Sequence, residues 1–231
     1  MQLSDQPIIT SVEQGLLTQQ HEVHKIRTQL VDCALYSGVG VTYNDPYIMN
    51  ILSEVEFAVI SSDFSSINHE TFFTTVAQSM AYPPTATESS DLPNFVIAVF
   101  VSGDAGDSVG TLLTDHGSVN IVDDIIKPFL PQSAPHLQHI PKLFFISLNV
   151  SSCLATKPPH FPHDRNGNFY VAYHTCHPYY MGEWMWHIAD HLFRFGVSVQ
   201  EVVESSRSFL YQGHEYLHYL SYLEGKLVLV N

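Results

Sequence analysis

The stretch Phe95-Val96-Ile97-Ala98-Val99-Phe100-Val101 is continuously apolar, mixing β-branched and aromatic residues. Such a run reads as a strand buried on both faces, the environment of a parallel sheet held between two helix layers. A second run of the same character, Leu143-Phe144-Phe145-Ile146, follows downstream.

Working outward from these two runs, strands and helices alternate. Leu30 to Tyr36 and Phe57 to Ile60 read as short strands before the first run. Asp45-Pro46 opens a helix with Asp as cap and Pro at the first helical position, and Ile48, Ile51, Leu52 and Val55 share one face of it. Ile67, Thr71, Phe72, Val76 and Met80 also recur at helical spacing. Tyr82 to Asn94, rich in Pro, Thr and Ser, reads as a loop. Asp123 to Leu130 is a helical segment shortened by Pro128, with Asp123 and Asp124 on a solvated face. Lys157 to Asn168, with its prolines and histidines, reads as an exposed linker, and Phe169 to Tyr173 resumes as strand. Trp184 to Phe195 and Val199 to Leu210 are amphipathic helices, the first with Trp184, Trp186, Ile188, Leu192 and Phe195 as core positions. Tyr216 to Ser221 and Leu227 to Val230 are the last strands.

This order predicts a three-layer α/β sandwich. Ligands in such folds sit beyond the carboxyl ends of the strands. Chemistry is therefore expected in Ser102-Gly103-Asp104-Ala105-Gly106, after the first buried run, and in Ser147-Leu148-Asn149-Val150-Ser151, after the second.

Composition narrows the function classes. The chain has 231 residues, 45% hydrophobic and 14% charged, a globular composition. Its formal net charge is -14, from 9 Lys+Arg against 23 Asp+Glu, which offers no basic footprint for nucleic acid and would be repelled by an acidic membrane surface. Three cysteines, Cys33, Cys153 and Cys176, are too few and too odd for a disulfide scaffold and fit a reducing compartment. Met1 to Thr10 is polar and lacks a basic n-region followed by an apolar h-region, so no signal peptide is expected; the longest apolar run is far too short to span a bilayer, so a cytosolic location is expected.

Four strings, taken in order, resemble the caspase family. Phe95 to Ser102 resembles the strand leading to the motif S-H-G-E-x-G. Pro141-Lys142-Leu143-Phe144-Phe145-Ile146 resembles the strand leading to Q-A-C-R-G. Asn168 to Thr175, followed by Tyr179-Tyr180, resembles the start of the small subunit. Leu220 to Leu227 resembles the family's ending S-x-L-x-K-x-L. The resemblance implies a caspase-like fold: a six-stranded, mostly parallel sheet flanked by helices, with the C-terminal edge strand at a dimer interface. Residues 1–29 would be a short N-terminal arm and 30–231 the caspase-like domain. Within it, 30–156 would correspond to the large subunit, 157–168 to the linker and 169–231 to the small subunit.

The family's functional positions are degenerate. Its catalytic His falls on Gly103 and its nucleophilic Cys on Asn149. Neither residue has the nucleophilic or acid–base capacity that the thiolate–imidazole chemistry needs. The glycine that opens the oxyanion site falls on Asp104, whose charge opposes a developing oxyanion. The arginine of Q-A-C-R-G falls on Val150, Ser37 to Thr42 contains no Arg, and the S-W-R-N loop is deleted before Met181. Arginines grip an aspartate because a guanidinium matches a carboxylate bidentately, so aspartate recognition is lost as well.

The resemblance thus implies a pseudoenzyme without cofactor. It would regulate apoptosis or caspase activity by heterodimerising with an active caspase, much as the caspase-like part of FLICE-like inhibitory proteins does, here without death-effector domains. Tyr216, Leu217, His218, Tyr219, Leu220 and Ser221 would carry the pairing, because an uncharged edge strand without Lys or Pro invites another chain. Asp164, the one acidic residue of the linker, is the candidate for processing by a partner. Two alternatives stand beside this. One is a homodimeric adaptor with no caspase partner. The other is a hydrolase of altered chemistry using Cys153, with His116 nearby in sequence. The histidines His21, His24, His160, His163, His174 and His177 with Cys176 lack paired Cys-x-x-Cys elements, so no metal site is expected.

Overall fold

The computed structural model describes residues 23–27, 30–37, 58–61, 74, 77, 95–114, 117–150, 158–176, 181–194, 197–210, 216–223 and 225–230. The strands run β1 (Val23–Arg27), β2 (Leu30–Ser37), β3 (Ala58–Ser61), β4 (Phe95–Asp104), β5 (Thr111–Thr114), β6 (Gly117–Asn120), β7 (Lys142–Asn149), β8 (Phe169–Cys176), β9 (Tyr216–Ser221) and β10 (Lys226–Val230). Two α-helices, α1 (Met181–Arg194) and α2 (Val199–Ser206), lie between β8 and β9. Among the described residues, the main sheet has six strands in the order β3-β2-β4-β7-β8-β9. All its pairings are parallel except β8 with β9.

The two apolar runs are the central strands β4 and β7, and Val96 to Val101 and the whole of β7 are buried. Alternation along each strand divides their side chains between two cores. Ile97, Val99, Val101, Phe144, Ile146, Leu148, Val171 and Tyr173 face one layer, formed by Ile121, Ile125, Ile126 and Phe129. Val96, Ala98, Phe100, Leu143, Phe145, Tyr170 and Ala172 face α1 and α2. Lys142 is fully buried at the start of β7, where its ammonium donates to the carbonyls of Leu137 at 2.6 Å and Ile140 at 2.7 Å.

Helix α1 buries Trp184, Ile188 and Leu192 at four-residue spacing, with Met185 and Ala189 beside them. Trp186 is not a core position: two residues from Trp184 is more than half a turn, and its side chain is 45% exposed. Helix α2 starts on a capping box. Ser198 Oγ accepts from the Glu201 N–H, and the Glu201 carboxylate accepts from the Ser198 N–H at 2.9 Å. The same carboxylate accepts from Lys226 Nζ at 2.8 Å, which, with the Ser198 contacts, holds the Glu201 pKa down at about 2.

Three elements differ from the sequence expectation. Val23–Arg27, inside the stretch read as a polar arm, is β1 and pairs in parallel with β10. Asp123 to Leu130 begins as a π-helical turn, Ile121–Ile126, capped by Asn120 Oδ1, and ends as a 3-10 turn through Pro128. Asp124 does more than face solvent, since its carboxylate accepts from the Asn120 N–H at 2.7 Å. The third is the linker, described from residue 158 onward. Instead of an exposed tether, it is pinned across the sheet. Pro159 abuts Gly110, where any Cβ would lie 2.6 Å from the proline ring, and Gly110 also needs its positive φ of 73°. Phe161 packs edge-on to Tyr173, and His163 Nδ1 is 2.5 Å from Tyr222 Oη. The helix expected at 45–55, the loop at 82–94, His116 and Cys153 lie outside the described residues. Of the segment 67–80, Thr74 and Ala77 are described, both helical.

Candidate functional site at the carboxyl ends of β4 and β7

The two central strands run on past the apolar residues that reveal them. β4 continues to Asp104 and β7 to Asn149, and their register pairs Gly103 with Leu148 and Asp104 with Asn149. β8 continues the rows, placing Thr175 beside Leu148 and Cys176 beside Asn149. Gly103 and Asn149, the positions that the sequence resemblance aligned with the family's His and Cys, are therefore strand residues on adjacent strands, offset by one step. Because side chains alternate, Gly103 shares a face with Leu148, whereas Asn149 shares the opposite face with Asp104 and Cys176.

The local backbone is committed to the sheet. Ala105 N–H donates to the Asn149 carbonyl at 2.8 Å, and Val150 N–H donates to the Cys176 carbonyl at 2.9 Å. An amide used in this way is not available to an oxyanion. Side chains complete the closure. Asn149 Nδ2 donates to Asp104 Oδ1 at 2.9 Å, and both Asn149 and Val150 are buried. Asn149 Oδ1 has no donor, and neither does Thr175 Oγ1 on the other face. Asp104 is half-buried, while Gly103 is buried. Cys176 is a buried thiol outside any disulfide.

One step deeper on the α1 face, Ser147 Oγ lies 2.9 Å from His174 Nδ1, and both residues are fully buried. The pair has the composition of a nucleophile and its base. However, the His174 ring is stacked at 4.7 Å on Trp184, whose indole N–H donates to Ser206 Oγ at 2.9 Å. This lid of α1 makes the pair a structural clasp between sheet and helices. The sequence reading missed Ser147 as a partner for His174, since 27 residues separate them and only parallel pairing joins them.

The residues read from the sequence as docking residues, Tyr216 to Ser221, form β9. β9 pairs with β8 on one side and is terminal in the sheet among the described residues. Tyr216 to Leu220 are half-buried and Ser221 is exposed. Leu217 and Tyr219 pack toward α1 and α2, and Leu220 toward the other core. Tyr219 stacks on Tyr170, lies under Arg207 at 5.3 Å and donates to Glu204 at 3.1 Å. Burial, then the neighbouring Glu204 carboxylate, raises the Tyr219 pKa, while burial followed by the Arg207 charge lowers that of His218. Asp164 is held both by a distant side chain and within its own turn. Its carboxylate accepts from Gln132 Nε2 at 2.8 Å and from the Asn166 N–H at 3.0 Å. Among the described residues, no three His, Cys, Asp or Glu side chains are grouped to hold a metal ion, and no helix is long and apolar enough to cross a membrane.

This architecture is the caspase fold, a mostly parallel sheet between helical layers. The chain matches the Drosophila initiator caspase Dronc at a TM-score of 0.60 and 13% identity, over 92% of this chain and 87% of that one. It matches caspase-1 from Spodoptera frugiperda at 0.56 and 14%, over 93% and 94%, and drICE at 0.51 and 16%, over 87% and 95%. No family model matches the chain. No curated protein matches it in sequence. Likeness at this identity establishes the fold.

Proposed function

We propose that this protein is a catalytically inactive caspase homologue that regulates an active caspase by pairing with it through β9. The observation that carries the proposal is the pairing of Asp104 with Asn149. In the caspase fold these carboxyl ends hold the reacting groups, and here they carry a glycine, an aspartate and a buried amide. No general base or nucleophile stands at either family position. Meanwhile β9 presents an uncharged strand at the sheet edge, with neither Lys nor Pro to blunt it. Strand addition to such an edge supplies main-chain hydrogen bonds, and the half-buried Tyr216, His218 and Leu220 supply selectivity.

The test is to mix the purified protein with candidate active caspases and follow both co-elution and peptidase rate. A change in rate with co-elution is expected, and both should be lost when His218→Lys and Ser221→Lys put charges on the edge. No co-elution and no change in rate with any caspase would overturn the proposal.

A further inference from the structure

The orphaned oxygen of Asn149 and the charge beside it have a ligand chemistry of their own. The hydrogen bond to Asp104 fixes the amide's orientation, because the flipped amide would set its oxygen against a carboxylate oxygen. Oδ1 is thereby left without a donor, on a residue only 7% exposed. A buried acceptor left unpaired costs about 1–3 kcal/mol. The nearby amides of Ala105 and Val150 are spent on the ladder, and Thr175 lies on the other face. The Asp104 carboxylate is half-buried, and among the described residues no cation pairs with it.

In sequence, the stretch that contains Asp104 is acidic. Between residues 28 and 126 there are thirteen Asp or Glu and no Lys or Arg. This is the segment that supplies β2, β3 and β4. An anionic ligand would meet a carboxylate with no counter-charge. A neutral donor would satisfy Oδ1 but leave Asp104 unneutralised. A guanidinium or ammonium does both, since it carries charge and several N–H donors and has no acceptor.

We propose that the paired ends of β4 and β7 form a receptor for a cationic side chain of a partner peptide, with Asp104 as counter-charge and Asn149 Oδ1 as the second acceptor. The receptor inverts the polarity of a site that grips carboxylates with arginines, and it does not depend on the pairing of β9. The net charge of -14 favours the approach of a basic peptide, and this attraction weakens with salt.

The probe is a blocked tetrapeptide with a central arginine, added to isotopically labelled protein while the side-chain NH2 resonances of Asn149 are followed. The arginine peptide should move those resonances saturably. Replacing arginine by citrulline, which keeps the shape and removes the charge, should weaken binding at least about fivefold, as should Asp104→Asn, which keeps an acceptor for the amide. Asp107→Asn, exposed in the loop that follows β4, should leave binding unchanged. Unmoved Asn149 resonances would overturn the receptor. So would a citrulline peptide or Asp104→Asn protein that binds within about twofold of the original, or an Asp107→Asn loss equal to that of Asp104→Asn.

Discussion

Asn149 donates its side-chain N–H to the carboxylate of Asp104 across 2.9 Å, joining the ends of the two central strands. Since Gly103 belongs to the opposite face, a histidine there would project toward the side of Leu148, away from residue 149. A base must reach its nucleophile within hydrogen-bond distance. The double variant Gly103→His with Asn149→Cys should therefore show no turnover of aspartyl peptides in a fluorogenic assay. Measurable turnover would mean that the strand ends rearrange to bring both side chains to one face.

Acid should destabilise the α1 layer through His187. The side chain is 3% exposed, and its pKa is lowered from 6.5 to about 4, first by burial and then by His191, whose ring lies 3.8 Å away, with Asp190 opposing. The folded pKa lies below the unfolded one, so the unfolded chain binds the extra proton. The stability contribution is complete above pH 6.5 and is lost as pH falls toward 4. The loss should reach up to about 3 kcal/mol. Thermal melts across this range should show a fall in Tm that is shallower in His187→Asn.

Removing the cap of α2 should cost stability without touching the sheet. Ser198 Oγ accepts from the Glu201 N–H at 3.2 Å and donates to the Glu201 carboxylate at 2.7 Å. Ser198→Ala removes both bonds and is expected to cost about 1–2 kcal/mol in denaturant unfolding. Glu201→Gln should cost less, because its contact with Lys226 is at the surface.

The linker should resist cutting after Asp164. A peptidase needs an extended segment, but Phe161 is packed against Tyr173, His163 is held at Tyr222 and Asp164 is tied to Gln132. An active caspase should leave the chain intact under conditions that cut a blocked peptide spanning residues 161–165. Gln132→Ala with His163→Ala should speed cutting at least about tenfold, since local opening sets the rate. Equal rates for protein and peptide would show that the strap opens freely.

Much of the sheet was legible because its signals are local. Val96 to Val101 and Leu143 to Ile146 are apolar without interruption, so their burial between layers follows from composition alone. The strand ends were not legible. Gly103, Asp104 and Asn149 have low strand propensity, and their place in β4 and β7 depends on the parallel partner. β1 was hidden for the same reason: Val23-His24-Lys25-Ile26-Arg27 is polar and becomes a strand only against β10. The tethering of the linker depends on pairs such as His163 with Tyr222, 59 residues apart, which no window of sequence contains. In the candidate site, the residue types at 103, 104, 149 and 150 could be read from the sequence. Their division between two faces and the orphaned Asn149 oxygen could not, because both depend on register.

The pairing of β1 with β10 also orders events during synthesis. Val23 lies beside Lys226 and Arg27 beside Val230, so a strand made near the start must wait for one made about two hundred residues later. Chains emerge from the ribosome N-terminus first, and the parallel central strands can begin to assemble while Val23–Arg27 still has no partner. Until Val230 has been made, that strand is an open edge available to other nascent chains. The same unpaired segment gives a chaperone or a neighbouring copy a period in which to engage the protein, and that period ends only when Lys226–Val230 has left the ribosome and paired with it.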